Sequence, residues 1–173
     1  MKKIIVKLLF VLVIASTVLG IASCGDDGEL KSYSEAGLNF KLPKKMDKFE
    51  VEWAAVCYGD HDNIEENPLF FIYYYSRESL STELYLDKDI TVSEYADWFI
   101  NANSYTKVKK TLNDDKTVIT LKYIYEDEGD YYVDYIMRNE AVLAHVTMSC
   151  RAEYREKYDP IFTEWMSYIA FAD

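Results

Sequence analysis

The sequence predicts an α+β domain in which helices pack on an antiparallel sheet of about six strands. Several runs alternate apolar and polar residues with the period of two that is typical of strands. Two segments carry apolar residues at helical spacing, and short turns join consecutive strands, as antiparallel pairing allows. Half of the 173 residues are apolar and 16% are aromatic, so the chain is able to bury a large core.

The first part of the domain is predicted to contain three strands. A turn at residues 34–37 precedes a strand at 38–42, and the same alternation predicts a second strand at 49–58. Residues 69–76, LFFIYYYS, are apolar on both faces, which is typical of a central strand covered on both sides. The acidic segment 59–68 between the last two strands is predicted to be a loop.

Two helices are predicted, one before the later strands and one at the end of the chain. Thr91 and Glu94 fit a capping box, in which each side chain binds the other residue's backbone N–H. Asp159 followed by Pro160 predicts the start of the last helix, because proline is favoured at the first helical position. The residues expected to face the core are Val92, Tyr95, Ala96, Phe99 and Ala102 in the first helix, and Phe162, Trp165, Met166 and Ile169 in the second.

A meander of four strands is predicted between the helices. The strands are expected at 107–112, 117–126, 131–138 and 141–150. Tight turns at 113–115, 126–130 and 139–140 join them, and Gly129 in the second turn is able to take a positive φ.

Small motifs along the chain resemble the PsbP/Mog1-like fold. They are the opening Tyr33 followed by GLNFKLP at 37–43, the helix start SEYA at 93–96, and the closing helix that carries Tyr158 and Phe162. The resemblance implies a central antiparallel sheet between helices. It implies no activity, because the same fold serves unrelated roles.

The first 24 residues, MKKIIVKLLFVLVIASTVLGIASC, have the basic, apolar and small-residue parts of a secretory signal. Ile21 to Cys24 resembles the lipobox of bacterial lipoproteins, which implies lipidation of Cys24 and removal of residues 1–23. The remaining chain would be a tether at 24–32 and one α+β domain at 33–173. The alternative is a retained membrane span, but the small, acidic flank GDDG at 25–28 favours the lipid. Both interpretations place the domain outside the cytoplasm, in the cell envelope.

The net charge of −11 would become −14 after removal of residues 1–23, because that segment carries three lysines and no acid. A surface this acidic argues against nucleic acid as a partner and against electrostatic docking on anionic headgroups. Membrane attachment is therefore expected through the lipid on Cys24. The expected partner is another envelope protein or a cell-wall component.

Cys57 and Cys150 are the other two cysteines, and an oxidising compartment would permit a disulfide. Alternation within the predicted strands puts both thiols on the more apolar face. Two interpretations stay open, a disulfide or two buried core cysteines, because spacing alone does not choose between them.

Catalytic and cofactor motifs are absent from the sequence. Of the two histidines, His145 is expected to be structural, and its pairing with Cys150 is disfavoured because the two lie on opposite faces of one strand. The loop around Asp60, His61, Asp62 and Glu66 gathers possible calcium ligands, but an EF-hand would need glycine at position 65, where glutamate stands. We therefore predict a solvated loop and neither a catalytic nor a metal site.

Sixteen tyrosines and three tryptophans leave a choice between packing and recognition. Half-buried sheets favour tyrosine, so packing is the expected role, and an exposed platform with Trp53 or Trp98 is the alternative. The sequence thus favours a non-enzymatic binding or accessory module. The alternatives are a hydrolase that uses Asp and Glu on glycan or peptide, and a small-ligand carrier with a pocket between sheet and helix.

Overall fold

The computed structural model describes residues 29–60, 62 and 65–172, which form ten strands and three helices. The predicted signal segment, Cys24, the start of the tether and His61 lie outside the described residues. Within this part of the chain, no helix is both long enough and apolar enough to cross a membrane.

The elements follow the order of the predicted α+β plan. The strands are β1 (Leu30–Glu35), β2 (Leu38–Pro43), β3 (Asp47–Phe49), β4 (Val56–Gly59), β5 (Leu69–Ser76), β6 (Lys109–Leu112), β7 (Val118–Tyr125), β8 (Asp130–Arg138), β9 (Val142–Arg151) and β10 (Ala170–Phe171). The helices are α1 (Arg77–Thr82), α2 (Val92–Asn103) and α3 (Arg155–Met166).

A seven-stranded antiparallel sheet forms the centre of the domain, with the strand order β3-β4-β5-β9-β8-β7-β6. The predicted fold class is confirmed, although the sheet has seven strands rather than about six. The strand predicted to be central, β5, lies between β4 and β9. A second sheet of three strands, β1-β2-β10, was not predicted.

Strand β1 begins at Leu30, within the segment that the sequence assigned to the tether. Residues 30–32 thus belong to a strand that the sequence did not predict, and the first predicted strand, at 38–42, corresponds to β2. A two-residue turn at Ala36 and Gly37 joins β1 to β2, with φ of 49° and 71°. Positive φ at both positions suits the right-handed twist of a hairpin.

Two cores lie on opposite faces of the large sheet, since side chains alternate along each strand. Helix α2 and Leu80 cover one face, packing on Leu121, Ile136 and Leu143. Helix α3 and strand β2 cover the other face, packing on residues such as Val146. The sheet is therefore sandwiched between helices, as the resemblance implied.

The capping box of α2 is confirmed, because the Thr91 hydroxyl accepts from the Glu94 N–H and the Glu94 carboxylate accepts from the Thr91 N–H. The predicted start of the last helix is wrong. Helix α3 begins at Arg155, and Pro160 lies inside it. Asp159 does not cap the helix, because its carboxylate accepts hydrogen bonds from Lys122 and Tyr131.

The predicted strand at 49–58 is also wrong, because the chain reverses within it. Strands β3 and β4 form a hairpin in which Phe49 lies opposite Cys57. The turn between them contains Trp53 and has neither glycine nor proline, so the sequence offered no turn signal. This error affects the face that was assigned to Cys57.

Candidate functional site

A cavity of about 320 Å³ opens between helix α3, the end of β2 and the two ends of the acidic loop. One stripe of α3 supplies Lys157, Tyr158, Ile161, Glu164 and Trp165, which recur at helical spacing. The other lining residues are Leu30, Pro43, Lys45, Met46, Asp60 and Pro68. A concave, largely apolar site of this size, with a few polar groups, lies at the small end of ligand pockets.

Asp60 is the buried polar group of this cavity, with a side chain that is 1% exposed. It follows directly after β4, whose four residues are all buried. Its Oδ1 accepts a hydrogen bond from the Asp62 N–H at 3.1 Å. Its Oδ2 lies 3.0 Å from Lys45 Nζ as an ion pair, yet accepts no aligned hydrogen bond from any residue that the structure describes.

Glu66 ties the acidic loop to helix α3 at the rim of the cavity. Its Oε2 accepts hydrogen bonds from Lys157 Nζ at 2.5 Å and from the Tyr158 hydroxyl at 2.6 Å. Burial and the bond to Glu66 raise the pKa of Tyr158, so the phenol stays a donor.

Two carboxylates of the acidic loop thus belong to separate ion pairs, Asp60 with Lys45 and Glu66 with Lys157. Within the described ranges, no group of three or more His, Cys, Asp or Glu is arranged to hold a metal ion. His61 lies outside these ranges.

A wider groove of about 680 Å³ lies on the other side of α3, against β6 and β7. It carries the charged residues Lys107, Lys109, Lys122, Glu126, Arg155, Glu156 and Asp159. Desolvation raises the pKa of Asp159, but hydrogen bonds from Lys122 at 2.6 Å and Tyr131 at 2.5 Å outweigh it and lower the pKa overall.

His145 lies in a buried network under helix α2, with 1% of its side chain exposed. Its Nδ1 is 3.1 Å from the Tyr95 hydroxyl, and its Nε2 is 3.0 Å from Asp134 Oδ1. The Thr147 hydroxyl donates to the same Asp134 oxygen at 2.6 Å. His145 is therefore a structural histidine, as predicted, although it is fully rather than partly covered.

Four tyrosines surround Asp134, which is completely buried. Burial, and next the Asp134 carboxylate, raise the pKa of Tyr73, Tyr105 and Tyr123, that of Tyr105 to about 12. The same two causes act on Tyr95, together with neighbouring tyrosines. These phenols stay neutral at physiological pH, which makes the cluster a packing and hydrogen-bonding unit.

Cys57 and Cys150 are free and buried, and they lie on opposite faces of the large sheet. Cys57 is in register with Phe71 of β5, and Phe71 is in register with Thr147 of β9. Cys150 is three positions after Thr147, and because side chains alternate along a strand, an odd number of positions leads to the other face. The prediction that both thiols share a face is wrong, and the structure supports two core cysteines rather than a disulfide. Burial raises the pKa of each thiol to about 12, so neither is an activated nucleophile.

Most aromatic residues pack within the two cores, as predicted. Trp98 packs on Tyr95, with ring centroids 5.5 Å apart. Trp53 is 37% exposed at the turn between β3 and β4, where it contacts Phe71 and Tyr73. Trp53 thus offers one partly exposed indole face.

The sequence did not predict which residues line the cavity beside α3, because its charged residues come from separate elements. Lys45 lies in the β2–β3 connection, Asp60 follows β4 and Lys157 is on α3. No spacing in the sequence links them. The available signal was an aspartate placed directly after the short apolar run that became β4.

Comparisons with known proteins support the fold and provide no information on function. The solution structure of cyanobacterial PsbP (CyanoP) from Synechocystis sp. PCC 6803 matches with a TM-score of 0.57 and 17% sequence identity, over 88% of this chain and 99% of that chain. No protein-family profile matches the sequence, and no curated protein matches it. The domain therefore has a PsbP-like fold, and identity this low carries no function with it.

Proposed function

We propose that this protein is a lipid-anchored, extracytoplasmic binding module of the cell envelope. The lipidated residue is Cys24, and the PsbP-like domain takes a small ligand in the cavity beside α3. The lipobox-like segment supports the location. The cavity supports the binding role, and it unites the binding-module and carrier interpretations of the sequence.

The observation that carries the binding role is an ion pair set within an apolar cavity. Asp60 and Lys45 lie 3.0 Å apart among side chains such as Met46, Ile161 and Trp165. Apolar walls supply binding free energy through burial, and a few fixed polar groups orient the ligand. Because Lys45 is 40% exposed on a flexible stem, a ligand is able to take its place beside Asp60.

A hydrolase is the second candidate, and the carboxyl groups fit it less well. Glycoside hydrolysis by two carboxyls needs an acid whose pKa is raised. The pKa of Asp159 in the charged groove is lowered. Burial raises the pKa of Asp130, but that residue lines neither cavity and pairs with Arg151.

The location is tested by intact-mass analysis of the protein extracted from its own membranes. Residues 1–23 should be missing and Cys24 should carry lipid mass. The Cys24→Ala variant should lose the lipid and either keep residues 1–23 or leave the membrane fraction. A native protein with an unmodified, full-length N-terminus would disprove the anchor.

The binding role is tested by native mass spectrometry of the same extracted protein, with the lipid on Cys24 subtracted. We expect an additional small molecule of defined mass that is absent from the Ile161→Trp variant, in which an indole fills the cavity. Ile124→Trp is the matched control, because Ile124 is an exposed residue of the other groove. Equal ligand occupancy in both variants would exclude the cavity beside α3.

A further inference from the structure

The charges that line the cavity beside α3 balance. Lys45 and Lys157 bring two ammonium groups, and Asp60 and Glu164 bring two carboxylates. Glu66 at the rim adds a third carboxylate, which pairs with Lys157, so a ligand phosphate would share Lys157 with it. A purely anionic ligand would have to draw Lys45 away and leave Asp60 buried without a cation, and an uncompensated buried charge is strongly destabilising. A ligand that carries both an ammonium and an anionic group is able to replace the Asp60–Lys45 ion pair with two new ion pairs, one to each of these residues.

The geometry at Asp60 specifies the kind of cation. Its Oδ2 accepts no aligned hydrogen bond from the described part of the chain, although it is buried. Lys45 Nζ at 3.0 Å supplies a positive charge to this oxygen but no aligned N–H, and a charged N–H donor in better alignment would compensate it best. A primary ammonium has such donors, whereas a quaternary ammonium of the same charge has none.

The position of the cavity relative to Cys24 indicates where the ligand comes from. Leu30 lines the cavity, and it is only six residues after Cys24. Six residues span at most about 20 Å when fully extended. A domain anchored through Cys24 would therefore hold the mouth of the cavity close to the membrane surface, where lipid headgroups are the most concentrated zwitterions.

We propose that the cavity binds a membrane phospholipid with a primary ammonium headgroup, of the phosphoethanolamine class. The ammonium donates to Asp60 Oδ2, the phosphate pairs with Lys45 and Lys157, and the first carbons of the lipid tails lie against Ile161 and Trp165. This inference rests on the proposed function, because the argument from membrane distance requires the anchor at Cys24.

The test is calorimetric titration of the full-length protein in a non-ionic detergent with short-chain phospholipids below their micellar concentration. The phosphoethanolamine lipid should bind at least tenfold more tightly than the phosphocholine lipid, which has the same charges and no N–H donor. It should also bind at least tenfold more tightly than the anionic phosphoglycerol lipid. Equal binding of all three lipids, or binding of free leucine in place of the lipid, would overturn the proposal.

Asp60→Asn should weaken phosphoethanolamine binding at least tenfold. Asp62→Asn is the matched control, since it removes a neighbouring exposed charge that does not line the cavity, and it should bind as the unmodified protein does. Ile161→Trp should abolish binding without changing any charge. Unchanged binding in both Asp60→Asn and Ile161→Trp would overturn the assignment of this cavity.

These results are separable from those for the anchor. Titration in detergent reports on the cavity alone, whereas intact mass reports on Cys24. Headgroup-specific binding by a protein without lipid would disprove the anchor and keep the lipid site. A lipidated protein that shows no preference for the ammonium headgroup would disprove the lipid site and keep the anchor.

Discussion

Replacing His145 with leucine should destabilise the protein more than replacing both His145 and Asp134 with leucine. His145 Nε2 lies 3.0 Å from the Asp134 carboxylate, and both side chains are shielded from water. In the single variant, Asp134 keeps the Thr147 hydroxyl as a donor and loses its imidazole partner. In the double variant, the buried carboxylate is gone as well.

The magnitudes follow from the groups that lose their partners. Removing one partner of a buried pair costs about 3–5 kcal/mol, and the Tyr95 hydroxyl loses Nδ1 as a partner while Tyr75 stays beside it. We therefore expect the single variant to lose roughly 5 kcal/mol of unfolding free energy. The double variant leaves only hydroxyls unpaired and should regain about 2–3 kcal/mol of that loss, since apolar replacement of a buried pair is often nearly neutral.

The assay is urea unfolding of the full-length protein in detergent, followed by tryptophan fluorescence, with thermal melting as a second measurement. At roughly 3 °C per kcal/mol for a domain of this size, the single variant should melt about 15 °C lower, and the double variant should recover about 6–9 °C. Because the added Asp134→Leu substitution is expected to raise the stability of the His145→Leu variant, the sign of that change in stability is decisive. A double variant less stable than His145→Leu would refute the view that Asp134 depends on His145.

Two further predictions concern the backbone and the response to pH. In the same unfolding assay, Gly37→Ala should destabilise the protein more than Gly129→Ala. Both glycines have φ near 70°, but only at Gly37 would the new Cβ lie 2.8 Å from the ring of Tyr74. Gly129→Ala should cost about 1–2 kcal/mol from the left-handed backbone alone, and equal losses would contradict the clash. Lys122→Met should lower stability at pH 7 by up to ~1 kcal/mol and have no effect at pH 2. The sign follows because folding lowers the pKa of Asp159. The contribution of Asp159 to stability is therefore present above the ordinary carboxyl range and is lost as the pH falls through the lowered value. A loss of equal size at both pH values would contradict this pairing.

The sequence predicted those parts of the fold that depend on local patterns. The capping box at Thr91 and Glu94, the positive φ at Gly129 and the interior position of residues 69–76 all follow from neighbouring residues. It failed where tertiary contacts override the local signal. Pro160 suggested a helix start, but the helix continues through it, and Asp159 is drawn to Lys122 in a distant strand.

The site was less predictable than the fold for the same reason. Lys45, Asp60 and Lys157 meet only because the β2–β3 connection, the end of β4 and helix α3 converge. The reversal of the chain around Trp53 also escaped prediction, since the alternation of residues 49–57 continues through the turn. Because that turn puts Cys57 in register with Phe71, it separates the thiol from Cys150.

The two cores on opposite faces of the large sheet are separate packing environments. The cavity opens beside α3, whereas the His145 network lies beneath α2, with a layer of backbone between them. Substitutions in separate packing environments have nearly additive effects on stability. A substitution in the cavity is therefore expected to leave the stability contributed by the α2 face nearly unchanged.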